Sequence, residues 1–414
     1  MKVFITILLL CPLLLMAQQY NLDDLITTGL QNSFSVQKSE LSHKAAGSSL
    51  NSAKWNLAPD LAVNAAVNKD FDPAPGAEDI SSLAGFSISK TISLNDPSYF
   101  GYKQALLNSQ LAELSLDQSH QSYAYQVFEA YLEVLGAERR KSSLNENLLI
   151  QTRVWEQSKL LLQLGKTTAF EVKQNEIAVM NSQIAILELD NTISNARSRL
   201  FALVQMQDMG YPMADLDADL ARQIPTCTPD TSAELKILMQ QQKSDDLQLS
   251  QGKLDNFPRL SVAYNFNRSV SGPNFDFDSY ATNHGIGLNL SYPLLNFFKN
   301  GASNTRLKIA KEISQLQIDE KRDQITRDYD SAMKELQYLV RLDELYAEKL
   351  AQSREQISQA EERYRLGMIE LLELDKTRTD YIDADIAYNA NRYKIISKQE
   401  AINYLLSQPV LGKW

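Results

Sequence analysis

Leu164-Gly165-Lys166-Thr167-Thr168-Ala169-Phe170-Glu171-Val172 returns 202 residues later as Leu366-Gly367-Met368-Ile369-Glu370-Leu371-Leu372-Glu373-Leu374. In each copy a Leu-Gly pair closes a long segment poor in glycine and proline, and a glutamate follows the glycine by six. Glycine at such a place supplies the left-handed residue that ends a helix, so each copy predicts a chain reversal between two consecutive helices. Other landmarks keep nearly the same offset. Gly85 and Gly287 each lie in an alternating segment and are 202 apart, while Ala58-Pro59-Asp60-Leu61 answers Phe257-Pro258-Arg259-Leu260 at 199. One duplication explains all three. The implied organisation is a signal peptide over 1–17, a first repeat over 18–210, a linker over 211–229, a second repeat over 230–408 and a tail over 409–414.

Outward from the turns, the helices are long. Residues 99–163 and 301–364 contain no proline and only Gly101, Gly136 and Gly301. Each can be one helix of roughly 100 Å at ~1.5 Å per residue. Their apolar residues follow a heptad. Positions 325, 329, 332, 336, 339, 343, 346, 350, 353, 357, 360 and 364 are apolar except Asp343 and Ser353. The matching series from Tyr123 through Lys141, Leu144, Leu148, Gln151, Trp155 and Ser158 to Leu162 is weaker. Such narrow stripes suit antiparallel pairs in a bundle or tube wall. Shorter helices are expected near 22–56, 168–208, 231–254 and 369–406.

Between the first short helix and the long helix of each half lie segments of period two. Leu260, Val262, Tyr264 and Phe266 alternate with Ser261, Ala263, Asn265 and Asn267; Ile286, Leu288, Leu290 and Tyr292 alternate with Gly287, Asn289 and Ser291. Leu61, Val63, Ala65 and Val67, and then Phe86, Ile88, Ile92 and Leu94, repeat the pattern in the first half. Each run is close to the ~9–11 residues a tilted strand needs to cross a bilayer. A soluble β-sandwich would show the same alternation, but four strands make no sandwich. Loops are expected over Asp70–Ala84 and Ser269–Asn283.

The chain has 414 residues, 44% hydrophobic, with a net charge of -10 and no block of five or six like charges; its mean hydropathy is -0.31. That balance argues against nucleic acid as a partner. Gly 15 and Pro 12 are about half the average usage, as long helices require. Lys2, the apolar run Val3 to Met16 and Ala17-Gln18 read as a secretory signal. Leu8-Leu9-Leu10-Cys11 also permits a lipoprotein box, with a very short apolar stretch before the cut. Cleavage after Ala17 leaves Cys227 as the one cysteine. His43, His120 and His284 are scattered, and no nucleotide-binding loop, nucleophile elbow or zinc motif occurs. Asp276-x-Asp278 lacks calcium-site spacing. No cofactor, no metal and no enzyme activity are expected. Four strands cannot close a barrel, since the smallest bacterial barrels need about eight. The expected fold class is therefore an α+β membrane protein. Three chains contribute four strands each to a trimeric 12-stranded β-barrel, continued by a long α-helical coiled-coil barrel.

Tyr20-Asn21-Leu22-Asp23-Asp24-Leu25, the joint Ala53 to Leu61, and Tyr364-Arg365-Leu366-Gly367 with Glu373 six residues on resemble the TolC family of outer-membrane efflux proteins. Their order, repeated at 202 residues, covers essentially the whole mature chain. The resemblance implies a homotrimeric outer-membrane duct extending into the periplasm. It would meet a periplasmic adaptor (membrane fusion) protein and an inner-membrane pump or secretion transporter, with outer-membrane lipid around the barrel. The helix-reversing tips Leu164, Gly165, Lys166 and Leu366, Gly367, Met368 would dock the adaptor. Glu373 and Glu171 would ring the channel entrance; Asp380 and Asp383 share the Glu373 helix face and read equally as solvated surface acids. Tyr364 matches the family's gate tyrosine, whereas the basic residue that often follows the glycine by two is Ile369 here. A periplasmic coiled-coil adaptor or structural protein is the alternative, although an adaptor usually has one helical hairpin and Gly-rich β domains. The cargo is not legible.

Overall fold

A computed structural model describes residues 19–73, 75, 78–216, 223–271, 280–292 and 294–413. The signal segment and Asp276-x-Asp278 lie outside the described residues. The chain is mostly helical with four antiparallel strands. In order the elements are α1 (Leu22–Asn32), α2 (Phe34–Trp55), β1 (Asp60–Lys69), β2 (Ile80–Ser93), α3 (Pro97–Gln163), α4 (Ala169–Val204), α5 (Ala233–Leu254), β3 (Arg259–Ser271), β4 (Ala281–Ser291), α6 (Asn296–Arg365) and α7 (Leu371–Leu405). Short 3-10 turns occupy Pro229–Thr231 and Val410–Gly412. No helix among the described residues is long and apolar enough to cross a membrane.

Two compact units share these elements: the described residues of Met1–Gln37, Ser119–Cys227 and Arg327–Trp414 form one, those of Lys38–Gln118 and Thr228–Thr326 the other. The first holds an apolar core built from Tyr123, Val127, Phe128, Tyr131 and Val134 of α3 against Leu22, Leu25 and Ile26 of α1 and Leu200, Phe201 and Val204 of α4. α1 starts on Asn21, whose side-chain oxygen accepts from Asp23 N, with Asp23 and Asp24 favourably placed in the first turn. The helix expected near 22–56 is broken at Ser33, which has extended backbone (φ -64°, ψ 124°) and still donates from N to Gly29 O at 2.8 Å. Gly29 itself is required by packing. A Cβ there would stand 2.2 Å from the Tyr123 hydroxyl, which donates to Leu203 O at 3.0 Å. The opening residue pairs with the linker: Tyr20 N donates to Pro212 O and Ala214 N to Tyr20 O, both at 2.9 Å. Arg197 braces this join with a two-pronged bond to Asp208, both contacts at 2.7 Å, and a third to Glu138 at 2.7 Å. That guanidinium holds the Asp208 carboxyl below the usual carboxylate range.

The heptad of α6 is the buried seam the sequence predicts. Ile325, Leu336, Leu339, Ile357 and Ala360 are buried, and so are its two polar members Asp343 and Ser353. Asp343 accepts from Asn391 Nδ2 at 3.2 Å, which satisfies a buried carboxylate inside the seam. In α3 the expected series fails beyond residue 140. Of the expected positions there only Ser158 is buried; Ser143, Asn147 and Val154 are buried in place of Lys141, Leu144, Leu148, Gln151 and Trp155. Ser143 hydrogen-bonds Asp385 of α7. Small polar residues line that contact, so hydropathy marks the wrong stripe.

In the second unit the strands form one sheet in the order β1-β2-β3-β4, each pair antiparallel. Leu61 faces Ile88, Ile88 faces Tyr264, and Tyr264 faces Ile286, so one face is apolar from rim to rim. Asn64, Gly85 and Asn267 belong to the other face. Both outer strands are exposed along their whole length. Leu61, Val63, Ile286, Leu288 and Leu290 are each at least 69% exposed. Lys90 interrupts the apolar face, but its ammonium reaches Asn56 O at 3.4 Å and Ser98 Oγ at 3.5 Å at the helix ends. The loops are shorter than expected. β2 begins at Ile80, β3 runs to Ser271 and β4 begins at Ala281. Ser81-Ser82 and Ser269-Val270-Ser271 join the ladder through their backbones, a pairing that weak alternation conceals.

Candidate functional site

Two helix reversals lie at the ends of α3 and α6, and their backbones agree bond for bond. Gly165 has φ 68° and Gly367 φ 74°. Lys166 N donates to Leu161 O at 2.8 Å and Met368 N to Arg363 O at 2.8 Å; Gly165 N reaches Leu162 O at 3.0 Å and Gly367 N reaches Tyr364 O at 2.9 Å. Each is the double-bonded helix stop that a left-handed glycine allows. The side chains presented are apolar and open to solvent: Leu164 is 69%, Leu366 61% and Met368 65% exposed.

Past the turns the two copies diverge. Thr168 caps α4 by accepting from Glu171 N, and Glu171 receives a hydrogen bond from the Thr167 hydroxyl. Glu171 is thus held by its own helix start, in the manner of a capping box. Glu373 sits on the first turn of α7 with its carboxylate exposed and 3.9 Å from Arg363 across the turn, a contact worth little in solvent. Asp380 and Asp383 are exposed on α7. Helical spacing puts both on the Glu373 stripe, and it also puts Lys376 there, a cation the sequence reading overlooked. The stripe carries three acids and one base.

Tyr364 is half-buried against the cluster Val154, Ile357, Ala360, Leu371 and Leu374, and Ile369 packs on the same cluster. At the position where the resemblance implies a basic residue, Ile369 enlarges this apolar cluster instead. Burial, with Glu171 and Asp375 nearby, raises the Tyr364 hydroxyl above its ordinary value. Charge enters from a residue that sequence reasoning missed. Arg378 of α7 is 2% exposed and donates from Nη1 to Asp375 at 3.0 Å. Its only sequence signal was the i, i+3 Asp-Arg spacing, which surface helices share. Among the described residues no group of three or more histidines, cysteines or carboxylates could hold a metal ion.

A family model described as outer membrane efflux protein matches residues 25–204 and 232–408. No curated protein matches the chain. Among solved structures, the CmeC outer membrane channel of Campylobacter jejuni superposes with a TM-score of 0.81 at 14% identity, over 95% of this chain and 87% of that one. VceC, an outer membrane protein of Vibrio cholerae, gives 0.80 at 14%, over 94% and 96%. The open-state MtrE outer membrane channel of Neisseria gonorrhoeae gives 0.78 at 15%, over 94% and 89%. Likeness at such identity establishes a shared fold.

Proposed function

The chain belongs to the outer membrane efflux protein family, and from that premise we propose that it forms a homotrimeric duct through the outer membrane with a helical extension into the periplasm. The observation that carries this reading is the open sheet. Its β1 and β4 rims have no partner strand among the described residues, and its apolar face is bare. Open strand edges inside hydrocarbon leave backbone groups unsatisfied at several kcal/mol each, so a membrane sheet must close. With strands of 10, 14, 13 and 11 residues, each can span a bilayer, which takes ~9–11 tilted residues. Three copies pairing β4 with the next β1 give twelve strands and no edge, with the asparagine and glycine face lining a wet lumen.

In this arrangement the exposed tips Leu164-Gly165-Lys166 and Leu366-Gly367-Met368 meet a periplasmic adaptor, which joins the duct to an inner-membrane pump. Glu373 and Glu171 surround the entrance, with Asp380 and Asp383 further along. Lys376 lowers the negative potential of that ring, and Glu171, tied to Thr167, contributes less than Glu373. Tyr364 closes the entrance by packing rather than through a bond to a base at 369. The adaptor alternative fits the sheet poorly, because an apolar face of this size would stay in water. Mass measurement in mild detergent tests the reading: about three times the mature chain is expected from outer-membrane fractions, and a stable monomer in aqueous buffer would overturn it.

A further inference from the structure

Arg378 is the largest fully buried side chain among the described residues. It uses one nitrogen on Asp375, while Nε and Nη2 are buried without a hydrogen-bond partner. Those two nitrogens form one edge of the guanidinium, the edge whose parallel N–H bonds grip a carboxylate or phosphate in two-pronged fashion. Native proteins rarely leave buried donors empty, and a charged pair on a single edge still less. Arg378 also lines a cavity of about 360 Å³ bounded by Val154 and Leu374, with Arg153 and Gln157 contributed by α3. From these observations we propose that the cavity is a binding site for a small free oxyanion, a carboxylate or phosphate, held two-pronged by the Nε–Nη2 edge of Arg378 with Arg153 as a second cation.

The surrounding charges permit it. Glu362 is matched by Arg365 at 2.6 and 3.0 Å, and Glu361 is exposed, where water screens it. Asp375 takes Nη1 and not the Nε–Nη2 edge, and burial pushes its carboxyl up, which weakens its competition for the cation. Val154 and Leu374 give the cavity a low-dielectric wall, so attraction to the buried fork is screened less than at the surface. A bound oxyanion would fasten α7 to α3 and α6 beside Tyr364. The inference rests on this three-helix contact and stands independently of the duct reading.

The test is calorimetric titration of the full-length protein in mild detergent with sodium phosphate and, separately, sodium acetate, at ionic strength fixed by a bulky sulfonate salt. Saturable binding of at least one is expected. Arg378→Lys keeps the charge but loses the fork and should weaken binding by about tenfold or more, while Arg153→Ala should give a smaller loss. Gln157→Trp fills an exposed lining position without touching a buried group, and it should block binding in a protein that folds normally even where Arg378→Lys does not. Absence of saturable binding in wild type overturns the proposal. So does binding unchanged in Gln157→Trp, or unchanged in a folded Arg378→Lys.

Discussion

Replacing Gly367 isolates the energetic role of the tip turn. An added Cβ would meet nothing within 4 Å at either Gly367 or Gly165, so no clash contributes. The remaining cost is the left-handed backbone at φ 74° and 68°, about 1–2 kcal/mol for an ordinary L-residue and more for a β-branched one. Asparagine tolerates this region best after glycine. The series Gly367→Asn, Gly367→Ala, Gly367→Val should therefore destabilise the turn in that order. The bond most directly strained is Met368 N to Arg363 O. A penalty of about 1–2 kcal/mol multiplies its open population roughly 5–30-fold, which amide hydrogen exchange over residues 362–372 would read directly. Gly165 variants should do the same at Lys166. As a control, Gly101→Ala lies inside α3 with open space around it and should tighten its helix by about 0.5–1 kcal/mol. Equal exchange across asparagine, alanine and valine would refute a backbone origin. On the docking reading the valine variants also lose export while still assembling.

On the duct reading, trivalent cations added from the periplasmic side should block single-channel current in wild type and block far less in Glu171→Gln/Glu373→Gln; equal block would move the constriction along α7. Lys376→Gln should deepen the wild-type block. In the sheet, Leu288→Lys lies on the apolar face and should cost about 2–4 kcal/mol near the bilayer midplane and stop insertion, whereas Asn289→Lys on the opposite face should insert, as outer-membrane fractionation would reveal. Asp208→Asn removes the anion from a two-pronged bond with Arg197 and should destabilise the first unit by about 1.5–3 kcal/mol in urea unfolding. Because the folded Asp208 carboxyl titrates below its ordinary value, its stabilisation is complete above pH ~4 and fades as pH falls through the folded value, and the Asn variant should lack that acid-dependent portion.

How legible this architecture was depends on what each segment buries. Gly165 and Gly367 announced the turns because few residues tolerate positive φ. The α6 seam was readable because Ile325, Leu336, Leu339 and Ile357 are apolar and buried alike. The α3 stripe departs from the hydropathy pattern at Ser143, which hydrogen-bonds Asp385 of α7, and at Asn147, because small polar residues buried at a helix contact leave no hydropathy trace. Strand faces can be read in β3 and β4, but the serine-rich start of β2 reads as loop because its pairing resides in the backbone. Past the tip turns, the exposed acids Glu373, Asp380 and Asp383 were visible by position. Arg378 and Lys376 were not, since a charged residue on a helix gives no sign in sequence of whether it will be sealed inside or point to water.

Between export and assembly, the bare rims of β1 and β4 set a race. On the trimeric reading, a lone protomer carries two adhesive strand borders and a greasy sheet face that only lipid and two sister chains can cover. Correct closure needs three encounters in register, whereas a stray pairing needs one. Yield should then depend on timing: chains delivered faster than the membrane accepts them accumulate as strand-linked aggregates, and slow delivery favours the finished ring. For this protein, overproduction is itself a perturbation of folding, felt first at two strands and only later at the helices.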